Sequence, residues 1–315
     1  MNSGKPPLVV VAGPTGVGKT DVAIRLAARL PVEVVSADSR QVYRRMDIGT
    51  GKPTPADLGA VPHHLIDVVE PDEPYHAARF KAEAEAAITD CRRRGRLPLV
   101  VGGTGLYIRA LVRGLRPAPP RDPELRRTLI EWSQREGSHA LHVKLAALDP
   151  AAAHRIHPRD QLRLVRALEV HYLTGRPPGD PTHWRERRPE FQLLEIGLTM
   201  PRNRLYGLLE KRVRRMVELG LRDEVHRLLE EGYDERLPAM QGIGYRHFAG
   251  AIRGRHSEDE AIRTMTRDTK RYAKRQWTWF AREADIQWVN VEASGGVEGA
   301  AEVVRTMIER SGVLE

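Results

Sequence analysis

The chain has 315 residues, 41% hydrophobic and 30% charged, enough to bury a sizeable core and too apolar to be disordered throughout. No apolar run approaches the roughly 20 residues that span a bilayer, and the run at 8–12 is too brief for a secretory signal, so a soluble cytoplasmic protein is expected. Lys and Arg number 51 against 42 Asp and Glu, and the net charge of +9 points to an anionic partner, nucleic acid first. The single cysteine, Cys91, excludes an intrachain disulfide and a cysteine-based zinc site, and fits a reducing compartment.

In chain order, LVVVAG (8–13) reads as a buried parallel strand, residues 21–30 as a helix, and VEVVSAD (32–38) as a second strand. A helix is expected after Pro74, running to Gly95, and LPLVVGG (97–103) gives a third strand. This alternation implies βαβ units and a parallel sheet with helices on both faces. At Leu115 the pattern changes: proline-rich LRPAPPRDP (115–123) and GRPPGDP (175–181) bracket helical periodicity at 123–136, 139–148 and 160–173. QLLEIGLTM (192–200) reads as a return to the sheet. An amphipathic helix follows, carrying Leu205, Leu208, Leu209, Val213, Met216 and Val217, and DIQWVNV (285–291) completes the sheet. The fold class is therefore α/β, and GPTGVGKT (13–20), directly after the first strand, makes it a P-loop NTPase-like parallel sheet flanked by helices. It is divided into a catalytic core (1–116 and 190–315) and a helical insertion domain (117–189).

The P-loop assignment rests on GPTGVGKT, formed by Gly13, Pro14, Thr15, Gly16, Val17, Gly18, Lys19 and Thr20. It matches G-x-x-x-x-G-K-[ST] directly after a strand and before a helix. Glycines at these positions let successive backbone N–H groups point at phosphate oxygens, and the helix N-terminus adds its positive end. Lys19 would reach the terminal phosphate and the Thr20 hydroxyl would ligate Mg²⁺. The strand at 97–101 ends in glycine and threonine with no acid, whereas VVSAD ends in Asp38; by spacing alone Asp38 is either a magnesium ligand or a catalytic base.

GPTGVGKT, SADSRQVYRRMDIGTGKP (36–53), PHHLID (62–67), VGGTGLY (101–107), RIHPRD (155–160), GIGYR (242–246) and KRQWTWF (274–280) stand in the order found in bacterial tRNA dimethylallyltransferases, and the chain resembles that family over nearly its whole length. The resemblance implies transfer of a dimethylallyl group from dimethylallyl diphosphate to the exocyclic amine of the adenosine next to the anticodon in tRNA. The P-loop would then hold the donor's diphosphate with Mg²⁺. By similarity Asp38 is the base that removes the amine proton, and Thr104 is a catalytic-site and tRNA contact, although spacing alone reads Thr104 as the cap of the next helix.

For the RNA, a flipped adenine needs a grip on the loop. Asp38, Ser39, Arg40 and Gln41 are candidates to read bases. Family position adds Arg126; Leu162, Arg163, Leu164, Val165 and Arg166; and Gly242, Ile243, Gly244, Tyr245, Arg246 and His247. Two basic stretches, at 202–215 and 263–282, suit phosphate contacts. Within the first, Arg212 is nominated for the diphosphate, without a spacing that singles it out. Taken singly each stretch also reads as a solvated helix face, and the tryptophans of the second as core. Cys91 reads as a passive thiol with no paired base, and the pairs His139/His142 and His154/His157 as ordinary histidines. A monomer is expected. The alternative function is a P-loop kinase of a nucleotide or small molecule; a nucleotide-sensing RNA binder would leave Asp38 without purpose.

Overall fold

The computed structural model describes residues 5–115, 119–175 and 191–314. In chain order the elements are β1 (Pro7–Ala12), α1 (Lys19–Ala27), β2 (Val32–Ala37), α2 (Pro55–Ala60), β3 (His63–His64), α3 (Ala77–Arg93), β4 (Leu97–Gly102), α4 (Gly105–Arg113), α5 (Pro123–Glu136), α6 (Ser138–Leu148), α7 (Pro150–Arg155), α8 (Gln161–Thr174), β5 (Gln192–Thr199), α9 (Arg202–Glu218), α10 (Leu221–Glu230), α11 (Tyr245–Ile252), α12 (Glu258–Phe280), β6 (Gln287–Asn290) and α13 (Gly296–Arg310). They form two compact units: Met1–Val112 with Pro189–Glu315, and Arg113–Arg188.

In the first unit six strands lie in the order β3-β2-β4-β1-β5-β6, and every pairing is parallel. Alternation along the strands divides the core by face. Val9, Val11, Leu99 and Ile196 pack toward α1, α9 and α13, while Leu8, Val10, Val35 and Val100 pack toward α3 and α4. Register places Ala12, Ala37 and Gly102 side by side at the strands' C-terminal ends, the edge where open α/β sheets bind ligands. Gly102 has no room for a side chain, because a Cβ there would collide with the Ala37 carbonyl.

A third apolar cluster joins Val42, Tyr43 and Met46 to α9, α10, α11 and α12. The helices α10 and α11 were not anticipated, and β3, a two-residue edge strand, is too short to leave a sequence pattern. The second unit has its own core, with Leu141, Leu145, Leu164 and Leu168 fully enclosed and Leu129 buried beside them. Its α5 begins as its sequence suggests, with Asp122 accepting from the Glu124 and Leu125 amides at 3.0 Å and Pro123 in the first turn. Most of the second proline-rich connection, residues 176–181, lies outside the described residues. Among the described residues no helix is long and apolar enough to cross a membrane.

Candidate active site

Beyond the C-terminal end of β1 the chain turns through Gly13, where φ is 151° and a Cβ would stand 2.6 Å from the Leu198 carbonyl oxygen. Gly16 and Gly18 also hold positive φ, at 80° and 98°, before α1 starts at Lys19. This curls the backbone around one concavity. Lys19 Nζ folds into it, donating to the carbonyls of Gly13 at 3.0 Å and Pro14 at 2.9 Å. Burial lowers the Lys19 pKa to about 8, with Asp38 opposing the shift and Arg212 adding to it. The loop opens on a cleft of about 880 Å³, lined by residues 15–21, Asp38, residues 50–53, Lys211 and Arg212 among others.

Asp38 is the first residue after β2. Its Oδ1 accepts the Arg40 and Gln41 amides at 2.8 and 3.4 Å, which fixes the carboxylate, and Oδ2 has no protein donor among the described residues. A second cavity of about 200 Å³ is lined by Arg40, Ile243, Arg246, Met265, Tyr272 and Arg275 among others. Thr15, Asp38, Thr50 and Arg212 line both cavities, so these four residues stand where the two meet. Burial, with Asp38 nearby, pushes the Tyr272 phenol up to about 12, so it stays protonated at neutral pH.

Thr104 does not line the larger cleft. Its Oγ1 accepts the Ser39 amide at 3.0 Å and reaches the Ser39 hydroxyl at 3.3 Å, so the side chain braces the turn that carries Asp38. Gln276 on α12 was missed. Only 5% exposed, it accepts the Thr15 amide at 2.9 Å and donates to the Gly103 carbonyl at 3.0 Å. Within basic KRQWTWF nothing in the sequence singles this glutamine out.

Other expected contacts fall differently. Val17 is buried in the core and offers the cleft its backbone. Ile243 and Arg246 line the smaller cavity, whereas Tyr245 and His247 are buried, and Gly244 supplies a positive φ at the start of α11. In the second unit Leu162 is 72% exposed, but Leu164 and Val165 are core residues and present no side chain to RNA. Arg163 is exposed and paired with Asp160 at 3.2 Å. Arg126 and Arg166 share one fully buried carboxylate, Glu169, at 3.0 and 2.7 Å.

The basic stretches separate into neutralised and free cations. Arg204 pairs with Glu292, Lys270 with Glu210, and Arg267 and Arg271 with Asp268. Lys211, Arg212, Arg214, Lys274 and Arg275 have no ion-pair partner among the described residues. Trp277 is 51% exposed rather than core, and Trp279 stacks on Arg109 at 4.4 Å.

Cys91 is buried and does have a base beside it: His64 Nε2 and Glu33 Oε2 each lie 3.4 Å from its sulfur. Burial and the Glu33 carboxylate push the thiol up to about 12, so it remains passive. Glu33, His64 and Cys91 are spaced for a metal ion, yet Arg94 takes both Glu33 oxygens and satisfies the cluster without one. The oxygens of Thr20, Asp21 and Asp38 in the larger cleft are the donor set that suits a hard divalent cation.

The IPP transferase family matches residues 41–283, and the isopentenyl transferase family matches residues 6–68. The tRNA dimethylallyltransferase of Desulforudis audaxviator is 48% identical over 305 residues, 97% of this chain and 98% of its own length. Among solved structures, the full-length tRNA isopentenylpyrophosphate transferase of Bacillus halodurans is 40% identical, with a TM-score of 0.72 over 98% of this chain and 99% of that one. A eukaryotic dimethylallyltransferase described as acting on tRNA is 30% identical, with a TM-score of 0.75 over 90% of this chain and 74% of that one.

Proposed function

This chain belongs to the IPP transferase family, and we propose on that footing that it transfers a dimethylallyl group from dimethylallyl diphosphate to the exocyclic amine of the adenosine adjacent to the anticodon in tRNA. The observation that carries the reading is the position of Asp38 at the junction of two cavities with one carboxylate oxygen unengaged.

In this reading the larger cleft takes the diphosphate. The amides of residues 16–20, Lys19 and Arg212 bind its oxygens and take up the negative charge that grows on the leaving group, while the Thr15 amide is held by Gln276. Thr20, with Asp21 nearby, would hold Mg²⁺, which when bound supplies further charge neutralisation at the diphosphate. The smaller cavity takes the flipped adenine beside Tyr272 and Arg275, with Arg40 at its rim. Asp38 Oδ2 accepts a hydrogen bond from the exocyclic amine. As the carbon–nitrogen bond forms, the carbon–oxygen bond to diphosphate breaks, the amine proton passes to Asp38, and pyrophosphate leaves. Thr104, through Ser39, keeps the Asp38 turn in place. The exposed basic residues of α9 and α12, and Arg126, Arg163 and Arg166 of the helical unit, contact RNA phosphates. Ser39, Gln41, Leu162, Gly242 and Ile243 contribute at the anticodon loop. A cytoplasmic monomer fits this role.

The test is incubation of the protein with Mg²⁺, dimethylallyl diphosphate and unmodified tRNA, with nucleoside analysis and pyrophosphate assay. Isopentenyladenosine and pyrophosphate in equal amounts, with no requirement for ATP, are expected. ATP turnover without tRNA modification contradicts the reading.

A further inference from the structure

Glu224, on α10, is a buried carboxylate outside the site just described. It is 2% exposed and has no cationic partner among the described residues. Its charge is satisfied by four hydrogen bonds: Oε2 accepts the amides of Asp47 at 2.9 Å and Ile48 at 2.8 Å, and Oε1 accepts the Gly49 amide at 3.0 Å and the Tyr245 hydroxyl at 2.6 Å. Three consecutive amides turned toward one anion fix the backbone of residues 47–49. Gly49 is fixed from the other side as well, since a Cβ there would lie 2.5 Å from the Tyr245 ring.

The chain leaving this anchor enters the larger cleft. Thr50, Gly51, Lys52 and Pro53 line it, and the Gly51 carbonyl accepts from Gln41 Nε2 at 3.1 Å. Gly51, at φ 60°, lies directly against the Arg212 guanidinium, in the space a side chain would need. Arg212 has no ion pair of its own to hold it among the described residues, so the loop surface supplies its seat.

We propose that Glu224 is a positioning residue for the diphosphate site: its carboxylate sets the loop at 47–53, and the loop sets Arg212. The proposal rests on the reading of the larger cleft as the donor's diphosphate site. Glu224→Gln keeps the shape but replaces one acceptor oxygen with an amino group that faces N–H donors.

The experiment measures binding of inorganic pyrophosphate, with Mg²⁺, by calorimetry to the wild type, Glu224→Gln, Arg212→Ala and the double variant. Each single substitution is expected to raise Kd about tenfold, and the double variant to bind within about threefold of Arg212→Ala alone, the non-additivity of residues acting through one contact. A Kd for Glu224→Gln within about twofold of wild type, or losses that multiply in the double variant, would overturn the proposal. If Glu224→Gln does not fold, Tyr245→Phe removes one donor to Glu224 and keeps the carboxylate. Its loss of about threefold must vanish in the Arg212→Ala background, and persistence there overturns the proposal. A wild-type chain that binds no pyrophosphate removes the reading of the cleft itself, and the proposal with it.

Discussion

The Gln276 side chain accepts the Thr15 amide at 2.9 Å, so a helix rich in basic residues is pinned to the phosphate loop by one buried amide. The same side chain holds the Gly103 carbonyl, one residue before Thr104. Replacement by alanine leaves a buried donor and a buried acceptor unpaired, at a cost of about 1–3 kcal/mol each. Gln276→Ala is expected to lower the unfolding free energy by a few kcal/mol and to raise the KM for the prenyl donor more than it lowers kcat. Denaturant melts and steady-state kinetics check this; an unchanged KM would show that Gln276 serves stability alone.

Donor affinity should depend on pH through Lys19. Its lowered pKa of about 8 means that the free protein carries this charge below about pH 8 and loses it above. Diphosphate favours the charged form, so Kd should be flat in Lys19's contribution below about pH 8 and weaken toward tenfold per unit above it. Pyrophosphate titrations from pH 7 to pH 9.5 read the slope. Lys19→Met should bind weakly and without this dependence.

The P-loop, the α/β alternation and the three longer insertion helices were legible because each is a local pattern: glycines at fixed offsets, β-branched runs, and helical periodicity between two proline-rich connections. Asp38 was legible as an acid at a strand end, and its role came from the resemblance. Gln276 and Glu224 were not legible, because each acts on a backbone distant in sequence, 261 and 175–177 residues away respectively. Leu164 and Val165 were named from family position together with Leu162 and Arg163, and helical rotation turns their two side chains into the core of the second unit while Leu162 and Arg163 face outward.

Glu169 holds the helical unit together at its base, accepting from Arg126, Arg166 and the Asp122 amide with no exposure to solvent. Burial alone would raise its pKa, but Arg166, the Asp122 amide and Arg126 draw it below the usual range. A lowered carboxylate pKa stabilises the folded form above the unfolded value and loses that stabilisation as pH falls. Glu169→Leu should therefore destabilise this unit by about 3–5 kcal/mol near neutral pH, with the gap to wild type narrowing in acid. Denaturant midpoints at pH 7 and pH 4 test it, and equal gaps at both would contradict it.

Binding of tRNA should fall steeply with salt. Arg163→Ala, at an exposed position, should weaken it alike for all tRNA sequences and flatten the slope of log K against log salt by about 0.7–0.9 if this arginine contacts one phosphate. Filter binding from low to physiological salt measures both, and an unchanged slope would remove Arg163 from the interface.

The carboxylate of Asp38 carries the chemistry in this account. Single-turnover prenyl transfer, with tRNA and dimethylallyl diphosphate both saturating, should slow by about 10²–10⁴-fold in Asp38→Ala while both substrates still bind. A variant that transfers the prenyl group at the wild-type rate would contradict it.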